Sequence, residues 1–180
     1  GGLVSVAYTD LIQASIMVTT VAVVFAYFLV DLGSLAAING QFAAVDSTNV
    51  APLGDGTYTL FGLGASLIAF FGTTFTSQNQ IILINATRNV RPAKAMLAAS
   101  SFVLAIFYVL LVLVGAGTTV ALVDAGLAVD NPDLAFPVLI TEYLPTTIGT
   151  IIVLAVLSAI LSTTDTYLHS TGVTTARDIY

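Results

Sequence analysis

Apolar residues run along this chain in four long stretches, Leu3 to Val30, Tyr58 to Ile84, Ala95 to Val123 and Thr146 to Val173, separated by shorter polar links. Each is long enough for a membrane-spanning helix, which needs about 20 mainly apolar residues. The stretches are continuous rather than short and alternating, so the pattern predicts a helical bundle and argues against a porin-like barrel. The links carry further elements. A short helix is expected over Leu35 to Val45, and Gly54, Asp55 and Gly56 close that first link with a turn. Asn131, Pro132 and Asp133 predict the start of a second short helix, Leu134 to Leu144, whose Pro137 falls in the tolerated first turn, and Pro145 divides it from the fourth stretch.

Two stretches are interrupted by polarity. In the second, apolar Leu60 to Phe71 gives way to Gly72, Thr73, Thr74, Phe75, Thr76, Ser77, Gln78, Asn79 and Gln80 before apolar residues resume. Such a break at membrane depth is tolerated where it is buried in protein or lines a cavity, and broken helices mark substrate sites in secondary transporters. The alternative is a continuous helix whose polar side chains bond to neighbouring helices. In the fourth stretch, at 100° per residue, Ala155, Ser158, Ala159, Ser162, Asp165, Thr166, His169 and Val173 share one sector, while Leu157, Ile160, Leu161, Leu168 and Thr171 lie opposite. An unpaired carboxylate at mid-membrane costs about 2.5 to 3.5 kcal/mol, so a stripe of this kind points to an ion or proton pathway. His169 on its own reads as a hydrogen-bonded interface residue. The third stretch is almost purely apolar and reads as scaffold. In the first, Asp10 and Gln13 are three residues apart on one helical face, with Asp10 either snorkelling to the nearer surface or facing the bundle.

Composition and charge turn these helices into an oriented membrane protein. The chain is 57% hydrophobic and only 8% charged, with a mean hydropathy of +1.01, which excludes an ordinary soluble domain. Its basic residues occupy two places, Arg88, Arg91 and Lys94 in the second link and Arg177 after the fourth stretch, and both are expected to be cytoplasmic. Asp31, Asp46, Asp55, Asp124, Asp130, Asp133 and Glu142 gather in the other links, so four spans alternate without conflict, the first running from inside to outside. The net charge of −6 is therefore mostly carried by outer loops and says nothing of nucleic acid, which is not an expected partner. Cysteine is absent, which removes disulfides and thiolate metal sites. Gly1 in place of Met, no basic region before the first stretch, and an end at Tyr180 soon after the last read as an internal fragment. A single transmembrane unit over residues 1–180 is expected.

Two segments carry a family resemblance. Gly1 and Gly2 with Tyr8, Thr9, Asp10 and Gln13, and the run LSAILSTTDTYLHSTGVTTARDIY from Leu157 to Tyr180, resemble the sodium/solute symporter family of sodium-coupled sugar, proline, pantothenate and sialic acid transporters. The second motif is the more specific, closing on Asp178, Ile179 and Tyr180 as the family's does. The resemblance implies that the four spans are core helices five to eight of the inverted-repeat fold shared with the leucine transporter. It implies that Ala159, Ser162 and Thr163 contribute to the main sodium site, the remaining ligands coming from core helix one, outside this sequence. It also implies a second sodium or proton site at Asp10, Ser162, Asp165 and Thr166. Asp165 replaces a usual small polar residue and makes that site more anionic. Family members often carry a Gln-Arg pair after the break in helix six; here Gln80 is followed by Ile81.

Sodium is a hard cation that prefers oxygen, which hydroxyls and carbonyls supply. The expected function is thus sodium-coupled transport of a small organic solute across the cell membrane by alternating access, with Na+ as coupling ion and no enzyme chemistry. The solute is expected against the break, at Thr73, Thr74, Ser77, Gln78 and Asn79. Two other readings stand beside this one: a solute-sensing membrane module of a larger signalling protein, and a proton-coupled carrier using Asp10, Asp165 and His169.

Overall fold

The computed structural model describes residues 3–51, 53–56, 58–77, 81, 84, 89–127, 129 and 131–179. Among them every regular element is helical. Helix α1 (Leu3–Asp31) covers the first apolar stretch, α2 (Leu35–Val45) follows in the link, α3 (Leu60–Thr76) begins the second stretch, and α4 (Val90–Asp124) covers the third. A short α5 (Ala135–Val138) is preceded by a 3-10 turn and followed by a wider π turn to Tyr143, after which α6 (Thr146–Thr174) covers the fourth. The expected helices over Leu35 to Val45 and Leu134 to Leu144 are both present, the second broken into turns of different pitch.

Local chemistry sets these boundaries. Gly33 adopts φ 95°, a left-handed conformation that glycine takes at no steric cost, and lets the chain reverse after α1. Ser34 then caps α2 by accepting from the Ala37 amide at 3.3 Å. Asp46 ends α2 and caps the next turn, accepting from the Thr48 amide at 2.9 Å; that bond holds its carboxyl below the usual carboxylate range. Thr59 caps α3 through the Gly62 amide at 3.0 Å. Arg91 and Lys94, expected in a link, lie instead in the opening turns of α4, because Pro92 between them falls where a helix leaves its amides unpaired anyway.

Three helices among the described residues are long and apolar enough to cross a membrane: Val4–Asp31, Val90–Asp124 and Thr146–Arg177. Helix α3, at 17 residues, ends at Thr76 with Ser77 extended, within the polar segment read as a break. At about 1.5 Å per residue it spans about 25 Å, short of a hydrocarbon core of about 30 Å. Four membrane helices are expected; among the described residues the second is represented by this shorter helix and by helical Ile81 and Ile84, and residues 78–80, 82–83 and 85–88 lie outside the described ones.

Helix α1 packs along α6 and against α4, while α2 lies on α4. Val24 and Phe28 of α1, Val114, Ala121 and Leu122 of α4, Ile38 of α2, Leu139 and Leu144 of the α5 segment and Ile152 of α6 form one buried cluster. All of them sit towards the ends bearing Asp31 and Asp124. The core is therefore at the acidic end of the bundle, and the basic end, with Arg91, Lys94 and Arg177, is openly packed.

Candidate functional site

The polar sector of α6 turns towards α1. Ser158, Ala159, Ser162, Asp165, Thr166 and His169 are all half-buried, whereas Leu157, Ile160, Leu161 and Leu168 on the other side are exposed. Polarity thus faces protein and apolarity faces outward, the reverse of a soluble helix and the arrangement that hydrocarbon demands.

At the centre of this sector the Ser162 hydroxyl donates to the Asp10 carboxylate, Oγ to Oδ1, at 2.7 Å. The two residues stand on different helices, and the contact is part-buried. Asp10 consequently faces the bundle rather than snorkelling, and the sequence-predicted residues Asp10 and Ser162 are brought together. Gln13, one turn further along the same face of α1, has its Oε1 buried with no hydrogen-bond partner among the described residues. Beyond it, Met17, Thr20, Val21 and Val24 of α1 line an apolar cavity of about 190 Å³ with Ala155, Val156 and Ala159 of α6 and Phe107 and Leu111 of α4.

Thr166 donates to the Ser162 carbonyl at 3.0 Å, one turn back along its own helix. Asp165 and His169 are half-buried on the same sector, without a hydrogen-bond partner among the described residues.

Thr163 points elsewhere. Successive helical residues are 100° apart, so with Ser162 aimed at α1 its neighbour turns to the exposed side, where Ala159, Ile160, Thr163 and Thr164 line an open depression. There the Thr163 hydroxyl donates to the Ala159 carbonyl at 2.9 Å. That carbonyl also accepts its ordinary helical bond, so both its lone pairs are used. For Ala159 to give an oxygen to a cation, the Thr163 hydroxyl must rotate away, after which Thr163 Oγ1 and Ala159 O point to one place. The three expected main-site residues therefore divide, Ser162 towards α1 and Thr163 towards the open side with Ala159 between.

The expected solute residues stand apart from this site. Thr73 is exposed, and its hydroxyl donates within α3 to the Phe70 carbonyl at 2.9 Å. Ser77 ends that helix half-buried, Gln78 and Asn79 lie outside the described residues, and so does the Thr74 side chain. Among the described residues helix α3 shows no extended packing against α1, α4 or α6.

The sequence model of the sodium:solute symporter family matches residues 1–180. The chain belongs to that family. It is a multi-pass protein of the cell membrane, and the coupling ion of the sodium:solute symporters is Na+. No curated protein and no solved structure gives a significant match to the chain.

No cluster of three or more His, Asp or Glu side chains suited to a metal ion occurs among the described residues. The oxygens of the α1–α6 seam are the Asp10 and Asp165 carboxylates with neutral hydroxyls, carbonyls and an amide, a set of hard oxygen donors. One missed feature had a signal in the sequence: Gln13 was placed on the Asp10 face but given no role.

Proposed function

We propose that this chain carries the sodium-binding half of a symporter that moves a small organic solute by alternating access, its four apolar stretches being core helices five to eight of an inverted-repeat, leucine-transporter-like bundle. The observation that carries this reading is the 2.7 Å bond between Ser162 and Asp10 across the α1–α6 seam, inside the membrane-spanning part of a sodium:solute symporter. Ala159, Ser162 and Thr163 contribute to the main sodium site, completed by a further helix seated against the open depression at Thr163. Asp10, Ser162, Asp165 and Thr166 form the second site, for sodium or a proton. The solute binds near the polar segment at Thr73, Thr74, Ser77, Gln78 and Asn79.

Coupling follows from where the ion sits. Moving one sodium ion inward is worth about 2.3 kcal/mol per 100 mV. An ion shared between helices that separate in one state and close in the other biases that equilibrium by its differential affinity. Sodium-gradient uptake by the intact protein in proteoliposomes, measured with labelled sugars, amino acids and carboxylates, tests the assignment. Ser162→Ala and Thr163→Ala are each expected to raise the sodium concentration for half-maximal uptake about tenfold, as loss of an ion-bound hydroxyl does. Sodium activation unchanged in both would end it.

A further inference from the structure

Gln13 Oε1 is the fully buried side-chain oxygen of the seam that has no hydrogen-bond partner among the described residues. A buried carbonyl-type oxygen left unpaired costs free energy, and where one persists in a folded protein a water, an ion or a functional role accounts for it. Its position narrows the choice. Asp10, Gln13 and Met17 follow one another at spacings of three and four, so they form a single stripe on α1. Asp10 meets Ser162, and Met17 shares a cavity wall with Ala155, Val156 and Ala159. Because α1 and α6 run antiparallel through these two contacts, Gln13 comes level with the turn between Ala159 and Ser162. That turn joins the two proposed sodium sites.

We propose that Gln13 is a sodium ligand, its Oε1 completing with the Asp10 carboxylate and the Ser162 hydroxyl a three-oxygen cradle on the α1–α6 seam; this rests on the sodium-site reading above. The chemistry is consistent on each atom. A hydroxyl that donates its one hydrogen to Asp10 keeps lone pairs for an ion, and an amide oxygen is a hard neutral donor. Asp10 supplies a negative charge within this cradle to balance a monovalent ion at membrane depth, with Asp165 a second carboxylate on the same sector of α6, while Arg91, Lys94 and Arg177 lie at the helix ends and compete poorly for the Asp10 charge. A proton on Asp10 would neutralise the charge equally well but would leave the Gln13 oxygen unpaired. Water would pair the oxygen but leave the charge. Sodium answers both.

The test is binding of radiolabelled sodium to the purified intact protein in choline buffer, with Gln13→Met as the apolar near-isostere and Gln13→Glu as the variant that keeps an oxygen. Gln13→Met is expected to raise the sodium concentration for half-saturation about tenfold, and Gln13→Glu to bind at least as tightly as the parent. Parental affinity in Gln13→Met overturns the assignment. Equal loss in Gln13→Glu also overturns it, because the amide would then be acting as a donor; this arm decides the matter even where Gln13→Met does not fold. Ser162→Ala and Thr163→Ala run alongside. If they weaken sodium binding and Gln13→Met does not, only the Gln13 ligand is lost. If none of the three moves it, the sodium reading itself falls.

Discussion

One glycine marks a close approach of two helices. Gly117 of α4 is buried against Phe28 of α1, and a methyl group built on it would lie 2.5 Å from the Phe28 ring at Cδ2. Phe28 is fully buried within the cluster that holds α1, α2 and α4 together, so the ring has nowhere to go. Gly117→Ala is expected to lower stability by about 1–3 kcal/mol through overpacking, read as a lower thermal midpoint in detergent. Gly115, two residues earlier, has open space where its Cβ would stand, and Gly115→Ala should leave the midpoint unchanged or raise it. An equal fall in both variants would mean that the Phe28 contact does not set the cost at Gly117, since helix propensity favours alanine at both positions. Nothing in the sequence pairs Phe28 with Gly117: both are ordinary residues of apolar runs, and only the interhelical packing gives the glycine a task. Ser162 and Asp10 were more legible, because a carboxylate and a hydroxyl stripe on separate apolar helices each need a polar partner, and few others are available.

At the scale of elements, the acidic end is tied by a contact that no spacing announces. The Tyr143 hydroxyl, in the turn after α5, donates to the Asp31 carboxylate at the last residue of α1. A carboxylate at a helix C-terminus meets the negative end of the helix dipole, so Asp31 is poorly placed until Tyr143 donates to it. Burial first, then the bond to Asp31 and the nearby charges of Asp31 and Asp124, push the Tyr143 hydroxyl well above its ordinary pKa of 10.0. The sign follows: the folded state favours the protonated phenol, so the contribution is complete below about pH 10 and fades only as pH rises beyond it towards the raised folded value. Tyr143→Phe should therefore cost about 1 kcal/mol at neutral pH, a bond to a charged group reduced by the exposure of Asp31. The difference between parent and variant in thermal midpoint should stay flat from pH 6 to about pH 9. A difference that grows or shrinks over that interval would mean another group titrates in the contact. The α2 helix, by contrast, was readable to the residue. Its turn signals are local, whereas Asp31 and Tyr143 are 112 positions apart and meet only through the fold.

For the whole molecule, the direction of each helix constrains the course of the chain between α1 and α4. Phe28 near the end of α1 packs on Gly117 near the end of α4, so these two helices run the same way, and Tyr143 beside Asp31 sets α6 against them. Parallel spans cannot be joined on one side of a bilayer; the chain from Asp31 to Val90 has to return from the acidic to the basic end. Only the stretch carrying α3 is apolar enough to do so, although α3 alone is too short to span. Helix α3 with helical Ile81 and Ile84 is the described part of that stretch, and the apolar residues of 58–84 are together long enough to cross. The sequence pattern marks the polar segment from Gly72 to Gln80 but carries no signal for which helices would pack on it, because such partners are not adjacent in the chain. Residues 1–180 contain no cysteine, so single substitutions here report sidedness once any cysteine elsewhere in the intact protein is replaced. Asp46→Cys and Asp133→Cys are expected to react with a membrane-impermeant maleimide on intact cells, and Lys94→Cys and Arg177→Cys only after permeabilisation. Labelling of Lys94→Cys from the same side as Asp46→Cys would mean that the 58–84 stretch does not cross, and with it the parallel course of α1 and α4 through the bilayer would fail.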